Sequence, residues 1–392
     1  MSQGSKSVVI LGATGSVGSN TLAVIREHPE SFRVTGLVAG SNCEKLAALA
    51  REFPEAALAL GANGDPTALK AALAAAGYGG RLYAGPDGAK ELLEDIRADI
   101  IVAAVSGTAG LDLAFAAIRP GVTILLANKE VLVSAGHLFM NAAKTGDAEV
   151  LPLDSEHTAL WQCLEGHDPH EVENLVITAS GGPFREWTAE RMARAVPADA
   201  LKHPVWRMGA KISVDSATLA NKALELIEAH HLFGIGFDAM RVLVHPQSAV
   251  HGLIEFVDGS LIAHMGICDM RQPISYMLFH PRRTRNNLPR LDLAKLARLD
   301  FFEPDHDRFP LLGLGMEAGR RGGRAPALFN AANEAAVELF LAERLSFSDI
   351  ARAVEAVMIE ESGGDITSLD EVREMHEVAK RKVMEFAGED GK

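Results

Sequence analysis

Cysteine is scarce. Cys43, Cys163 and Cys268 are the only three in 392 residues, far apart, odd in number and without a CxxC spacing. That argues against a disulfide framework and a cysteine-held metal, and a reducing, cytoplasmic location is expected. Positive charge is in deficit as well, with 38 Lys and Arg against 52 Asp and Glu, a net charge of -14. Neither nucleic acid nor an anionic membrane surface is an expected partner of such a chain. Two basic clusters, Arg282, Arg283 and Arg285, then Arg320, Arg321 and Arg324, sit among Pro, Asn or Gly and read as solvated loops. Long apolar runs are also lacking. No uncharged stretch reaches membrane-spanning length, and the short apolar run Val8–Leu11 is too brief for the core of a signal peptide. What remains is an ordinary globular composition, 48% hydrophobic and 23% charged, with length for two or three domains and no internal repeat.

The first third alternates short apolar strands, at 7–11, 33–38, 56–60, 99–105, 122–127 and 149–153, with helical stretches such as 19–27, 43–53 and 111–118. Strand and helix in strict alternation predict an α/β fold with a Rossmann-like, doubly wound parallel sheet. Past residue 150 the style changes. "VENLVITAS", "RVLVHP", "AVHGLIEFV" and "SLIAHMGI" read as strands of a second sheet, the last two joined by a hairpin at Asp258-Gly259. A Pro-, Arg- and Asn-rich connector follows. From about Pro310, Ala, Leu and Glu recur at helical spacing, with breaks at Gly322-Gly323 and Gly363-Gly364. The expected division is a dinucleotide-binding domain over 1–150 and a catalytic, metal-binding domain over 151–280. A linker over 281–309 and a helical domain over 310–392 complete it.

Two stretches carry chemistry. In "VVILGATGSVG", Gly12, Gly15 and Gly18 follow the first strand and open the first helix, where glycines let the backbone approach a pyrophosphate. The spacing is GxxGxxG rather than GxGxxG, so a tight turn without a ligand is the alternative. The second strand ends in Ala39, Gly40, Ser41 and Asn42 with no acid for ribose hydroxyls, which favours NADP over NAD. In "LPLDSEHTALW", Asp154 and Glu156 flank Ser155 where a strand meets a helix. Asp or Ser would serve as a helix N-cap, and Glu would suit the helix dipole. Alternatively, positions two apart in an extended segment face the same side, and paired carboxylates without cysteine suit Mg²⁺ or Mn²⁺. "SVDSATLANKALELIEAHH" offers Asn221 and Glu225 on one helix face with Lys222 beside them, unless that face is simply exposed. Ser216 stands where that helix is expected to begin, as a cap or a phosphate contact. Ser180 with two glycines in "ITASGGPF" also suits an anion.

Taken in order, "GATGSVG", "LANKE", "LPLDSEH", "TASGGPFR", "HPVWRMGAKISVDSATLANKALE", "VHPQSAVHG" and "FNAANEAAV" run essentially end to end and resemble the 1-deoxy-D-xylulose 5-phosphate reductoisomerase family. The resemblance implies an NADPH- and metal-dependent oxidoreductase of non-mevalonate isoprenoid synthesis acting on a sugar phosphate, and a homodimer. It implies Asp154, Glu156 and Glu225 as metal ligands, Glu156 and Glu225 also facing substrate. Lys129, Ser155, Ser180, His203, Ser216, Asn221 and Lys222 would contact the substrate, with Lys129, Glu156 and His203 the catalytic residues. Thr14, Gly15, Ser16, Val17, Gly40, Ser41, Asn42, Asn128, Glu130 and Gly209 would contact NADPH. "HPVWRMG", with Trp206 and Met208, would be a flap over the substrate. A semialdehyde dehydrogenase would need a reactive cysteine in an active-site pattern, and a non-catalytic NADP sensor would not need three acids beside Lys222.

Overall fold

The computed structural model describes residues 4–61, 64–206, 208–359 and 363–388. Arg207, within the expected flap, lies outside them. Two compact units emerge. The first holds the chain up to Val131, then Phe139–Asp154 and Asp269–Leu288; the second holds Leu132–Leu138, Ser155–Cys268 and the chain from Pro289 onward.

The first unit is built on seven strands: β1 (Lys6–Leu11), β2 (Phe32–Ala39), β3 (Ala57–Leu60), β4 (Leu82–Ala84), β5 (Ile100–Ala103), β6 (Thr123–Leu126) and β7 (Glu149–Pro152). All pair in parallel, in the order β4-β3-β2-β1-β5-β6-β7. Val8, Val9 and Ile10 are fully buried, as an unbroken apolar run must be when both faces of a parallel sheet are covered. The order reverses at β1, whose neighbours are β2 and β5, so the crevice outside the carboxyl ends of β1 and β5 is where such a sheet takes ligands. β4 was not among the expected strands. It is three residues at the sheet edge, only partly buried, with too little apolar pattern to announce itself.

The same unit recovers a distant segment. The helix Arg271–Phe279 packs on the helix Ser16–Glu27, and Phe279 meets Phe32 edge-on at 4.8 Å between ring centroids. Nothing in local periodicity announces that return.

The second unit carries β8 (Val172–Ala179), β9 (Met240–Val244), β10 (Val250–Phe256) and β11 (Leu261–Met265), in the order β11-β10-β8-β9. β8 and β9 run parallel while β10 is antiparallel to both its neighbours. The β10–β11 hairpin turns at Asp258-Gly259 as expected. Gly259 takes φ +82°, and the Asp258 carboxylate accepts from the Ser260 N–H at 2.9 Å. Downstream, Phe302 pairs back on Val244 in both directions, at 2.8 and 2.9 Å. The helices Pro310–Arg321, Ala325–Leu341, Phe347–Ile359 and Leu369–Phe386 follow. Breaks fall at the two expected glycine pairs and also at 342–346, which was not expected, and the glycine breaks meet: the Arg324 N–H donates to the Gly364 carbonyl at 2.9 Å.

Inside this unit His231 lies against Gly136, where a Cβ would stand 2.2 Å from the imidazole. Burial, then the neighbouring His230 and His137, push its pKa down to about 4. The fold therefore holds His231 neutral, while the unfolded chain protonates it near its ordinary value. Its stabilisation is complete above about pH 6.5 and is lost as pH falls through about 4. Urea midpoints should thus drop between pH 7 and pH 5, and His231→Gln should flatten that drop. An unchanged slope in the variant would show that other groups carry it.

Candidate active and metal site

The glycine loop forms at the carboxyl end of β1. The N–H groups of Gly12 and Ala13 both donate to the Val38 carbonyl, at 2.9 and 2.8 Å, which ties the loop to β2. Gly12 adopts φ +85°, and a Cβ there would lie 2.4 Å from the Ala104 carbonyl oxygen. A Cβ on Gly18 would lie 2.4 Å from the Gly12 carbonyl oxygen. Both glycines are required by close backbone approach, so the loop is a tight turn in its own right. Gly15 caps the helix Ser16–Glu27, no side chain caps it, and Gly15 and Ser16 are exposed, with Thr14 and Val17 partly so. Exposed N–H groups at a helix start suit a pyrophosphate. Gly40, Ser41 and Asn42 are also exposed. Asn42 accepts from the Lys45 N–H at 3.0 Å, which leaves its amide NH₂ to donate elsewhere.

Asn128 is only 2% exposed and its side chain is engaged with backbone at both ends. Its amide donates to the carbonyls of Val105 and Gly107 at 2.6 and 3.0 Å, and its oxygen accepts from the Glu130 N–H at 3.0 Å. That side chain shapes the 105–107 loop and caps the next helix. Glu130 is buried too.

β7 ends at Pro152, and the helix Ser155–Leu164 starts three residues on. Asp154 precedes that helix directly, and the chain itself carries it beside Glu156. Asp154, Glu156 and Glu225 each present a carboxylate oxygen, and these atoms lie within 4.8 Å of one another. Glu225 is 1% exposed, on the helix Ala220–Phe233. Three buried or half-buried carboxylates that close repel one another strongly unless cations sit among them. Lys222 supplies one such cation, its Nζ bonding Glu156 and lying 2.5 Å from Glu225, while the Lys129 Nζ lies 3.4 Å from Asp154. Asn221 donates to Glu225, and the Ser155 hydroxyl donates to Glu156. An all-oxygen donor set fits a hard divalent ion. Asn221, Lys222 and Glu225 are all buried, so the alternative of an exposed helix face does not hold.

Ser216 departs from expectation. It lies near the end of the helix Ala210–Ala217 rather than at the start of the next, which begins after Leu219 in a left-handed conformation at φ +60°. Such a conformation costs a non-glycine residue roughly 1–2 kcal/mol and is held here by near-complete burial. A Cβ on Gly182 would lie 2.5 Å from the Ser216 carbonyl oxygen, so the loop after β8 and this helix end come together.

That loop carries Ser180, whose hydroxyl lies 3.0 Å from the His203 Nε2 and accepts from the Gly182 N–H at 3.2 Å. The His203 Nδ1 accepts from the Val205 and Trp206 N–H groups, at 3.2 and 2.8 Å. An acceptor Nδ1 places the proton on Nε2, which donates toward Ser180. Burial and then the Lys222 charge push the His203 pKa down to about 4, against the opposing pull of Glu156. His203 is a neutral donor at pH 7. Gly209 caps the helix Ala210–Ala217 and is exposed.

His157 is fully buried. Its Nε2–H donates to the Glu225 carbonyl at 2.8 Å and so holds the turn that carries Glu225. Sequence reasoning passed over two neighbours. His251 is 6% exposed, lies 6.5 Å ring to ring from Trp206, and feels the charges of Glu156 and Lys222. The Cys268 thiol donates to the Ser248 carbonyl at 3.2 Å and is pushed up to about 11 by burial, then by Glu156. Cys163 is raised likewise to about 11 by burial. Burial holds both as thiols rather than as the thiolate that a cysteine-dependent dehydrogenase uses. His251 was in plain view inside "VHPQSAVHG", but as one buried position of β10 it carried no signal of its own.

Together the fold and the site define a dinucleotide-dependent oxidoreductase with a carboxylate site for a divalent cation. Residues 8–136 match the family described as 1-deoxy-D-xylulose 5-phosphate reductoisomerase, residues 150–233 that family's C-terminal domain, and residues 265–382 the DXP reductoisomerase C-terminal domain. The chain belongs to the 1-deoxy-D-xylulose 5-phosphate reductoisomerase family. It is 47% identical over 369 residues to the reductoisomerase of Pelotomaculum thermopropionicum, covering 94% of this chain and 95% of that one. The Zymomonas mobilis reductoisomerase in complex with NADPH superposes at TM-score 0.90 with 41% identity, over 98% of this chain and 99% of that one. A DOX-P reductoisomerase in complex with NADPH, fosmidomycin and magnesium superposes at TM-score 0.92 with 39% identity, over 98% and 100%.

Proposed function

We propose that this chain converts 1-deoxy-D-xylulose 5-phosphate and NADPH to 2-C-methyl-D-erythritol 4-phosphate and NADP⁺ with a divalent metal, Mg²⁺ or Mn²⁺. The observation that carries the reading is the convergence of Asp154, Glu156 and Glu225, with Lys222 bonded to the two glutamates. The reaction breaks and remakes a carbon–carbon bond of the ketose phosphate and reduces the resulting aldehyde. When bound, the metal acts as Lewis acid and template for the substrate oxygens, and NADPH supplies the hydride. Asp154, Glu156 and Glu225 would hold the metal. Ser155 and Lys129 sit against two of those carboxylates and would reach the same substrate oxygens. Ser180, Ser216, Asn221 and Lys222 would take the phosphate, and neutral His203, a proposed catalytic residue with Lys129 and Glu156, would contact the substrate as a donor from Nε2. Binding energy from the phosphate would then position the reacting carbons. Trp206 and Met208 would close over them and exclude water.

Thr14, Gly15, Ser16, Val17, Gly40, Ser41, Asn42, Asn128, Glu130 and Gly209 form the proposed NADPH contacts. The proposed functional division is 1–150, 151–280, 281–309 and 310–392, and the proposed location is the cytoplasm. For the homodimer, the support is β11, an edge strand with Leu261 60% exposed and Val257 beside it 64% exposed. Unpaired apolar edges invite pairing with a second chain. No helix among the described residues is long and apolar enough to cross a membrane.

The direct test is NADPH oxidation at 340 nm with the deoxyxylulose phosphate, with and without Mg²⁺ or Mn²⁺; no metal-dependent turnover would overturn the proposal. Because the end of β2 lacks an acid, kcat/KM should be at least about tenfold higher with NADPH than with NADH, a difference of roughly 1.4 kcal/mol. Ser41→Asp should penalise NADPH and leave NADH little changed. Equal efficiency with both cofactors in the unaltered protein would count against Ser41 and Asn42 as 2′-phosphate contacts.

A further inference from the structure

Lys222 joins two halves of the site. Its ammonium bonds both Glu156 and Glu225, and the other oxygen of each carboxylate is already engaged, by the Ser155 hydroxyl and by the Asn221 amide. A divalent ion held by Glu156 and Glu225 would therefore compete with Lys222 for the same two carboxylates. Lys222 is 6% exposed, so its charge is little screened, and a divalent cation placed on the same carboxylates would meet it at close range. The His203–Ser180 pair is near enough for the Lys222 charge to act on the imidazole. An anion received there offers the ammonium a second partner.

We propose that Lys222 is a transferable counter-ion: it neutralises Glu156 and Glu225 when no metal is bound, and an incoming phosphate draws it off them and so tightens metal binding. The inference rests on the metal and phosphate sites of the proposed function, and adds that Lys222 couples them. Linkage makes the coupling reciprocal, so metal tightens phosphate by the same factor. The enzyme would thereby hold its metal weakly until the sugar phosphate is in place.

The experiment is Mn²⁺ titration of the metal-free full chain, with free aquo-Mn²⁺ read by electron paramagnetic resonance, in sodium chloride or inorganic phosphate at matched ionic strength. In the unaltered protein, phosphate should tighten Mn²⁺ binding about tenfold, inside the usual range of coupling between sites. In Lys222→Gln, Mn²⁺ should bind more tightly than in the unaltered protein without phosphate, and phosphate should add less than about twofold. Circular dichroism checks the fold of the variant, and the phosphate effect in the unaltered protein tests the proposal without any variant. If Mn²⁺ binds, and Glu225→Gln abolishes that binding, but phosphate does not tighten it, the coupling is wrong and the metal site stands. A phosphate effect that survives undiminished in Lys222→Gln also overturns it. If no Mn²⁺ binds under either condition, the metal reading of the carboxylates fails and the coupling fails with it.

Discussion

Replacing Asp154 by Asn should lower kcat by roughly 10²–10³-fold, the equivalent of about 3–4 kcal/mol of lost transition-state stabilisation. The substitution keeps the shape of the side chain but removes one charge from the cluster of three carboxylates proposed to hold the metal and weakens the 3.4 Å contact with Lys129. Mn²⁺ affinity should fall with kcat, and excess Mn²⁺ should restore activity only in part. NADPH affinity should be unchanged, because the glycine loop is built by β1, β2 and the following helix. The same substitution separates the two readings of "LDSEH". Asn is about as good a helix cap as Asp, so a residue that merely capped Ser155–Leu164 would tolerate the change in both activity and stability. Near-normal turnover at limiting metal would remove Asp154 from the ligand set.

Gly12→Ala should cost more than its single methyl suggests. The residue sits at φ +85°, where a non-glycine residue is strained by roughly 1–2 kcal/mol. The new Cβ would lie 2.4 Å from a backbone oxygen of Ala104, an atom with no rotamer to escape into. The loop must shift away from β5, so NADPH affinity should fall at least about 30-fold, roughly 2 kcal/mol, with a lowered melting temperature. Gly40→Ala is the contrast, since its Cβ would meet nothing within 4 Å and its backbone needs no left-handed conformation. It should fold normally, and any loss of NADPH binding would report a direct cofactor contact. Equal thermal stability of Gly12→Ala and the unaltered protein would show that the loop relaxes freely.

Local pattern alone determined the elements of both sheets except the short edge strand β4, because each of the other strands is an apolar run or alternation bounded by turn residues, and period is a property of neighbours in the chain. It determined the hairpin at Asp258-Gly259, the helix breaks at the paired glycines and the glycine loop after β1, for the same reason. The pairing of Asp154 with Glu156 was likewise legible, since two positions one residue apart stay close whatever the fold. Their meeting with Glu225, 69 residues beyond Glu156, was open to the reading from a helix-face pattern and a family resemblance, but only the packed chain brings the oxygens within 4.8 Å. The return of Arg271–Phe279 to the first sheet, with Phe279 on Phe32, was decided by tertiary packing alone, because an amphipathic helix does not name its partner. Burial was decided there too. It made His157 the anchor of the Glu225 turn, and it brought His251 and Cys268 within electrostatic reach of Glu156. Ser216 was misplaced because a left-handed Leu219 ends one helix and starts another, and no residue preference signals a leucine in that conformation. Charge balance among the site's carboxylates is likewise a matter of three dimensions: sequence shows that Lys222 is present, and only the fold shows which carboxylates it neutralises.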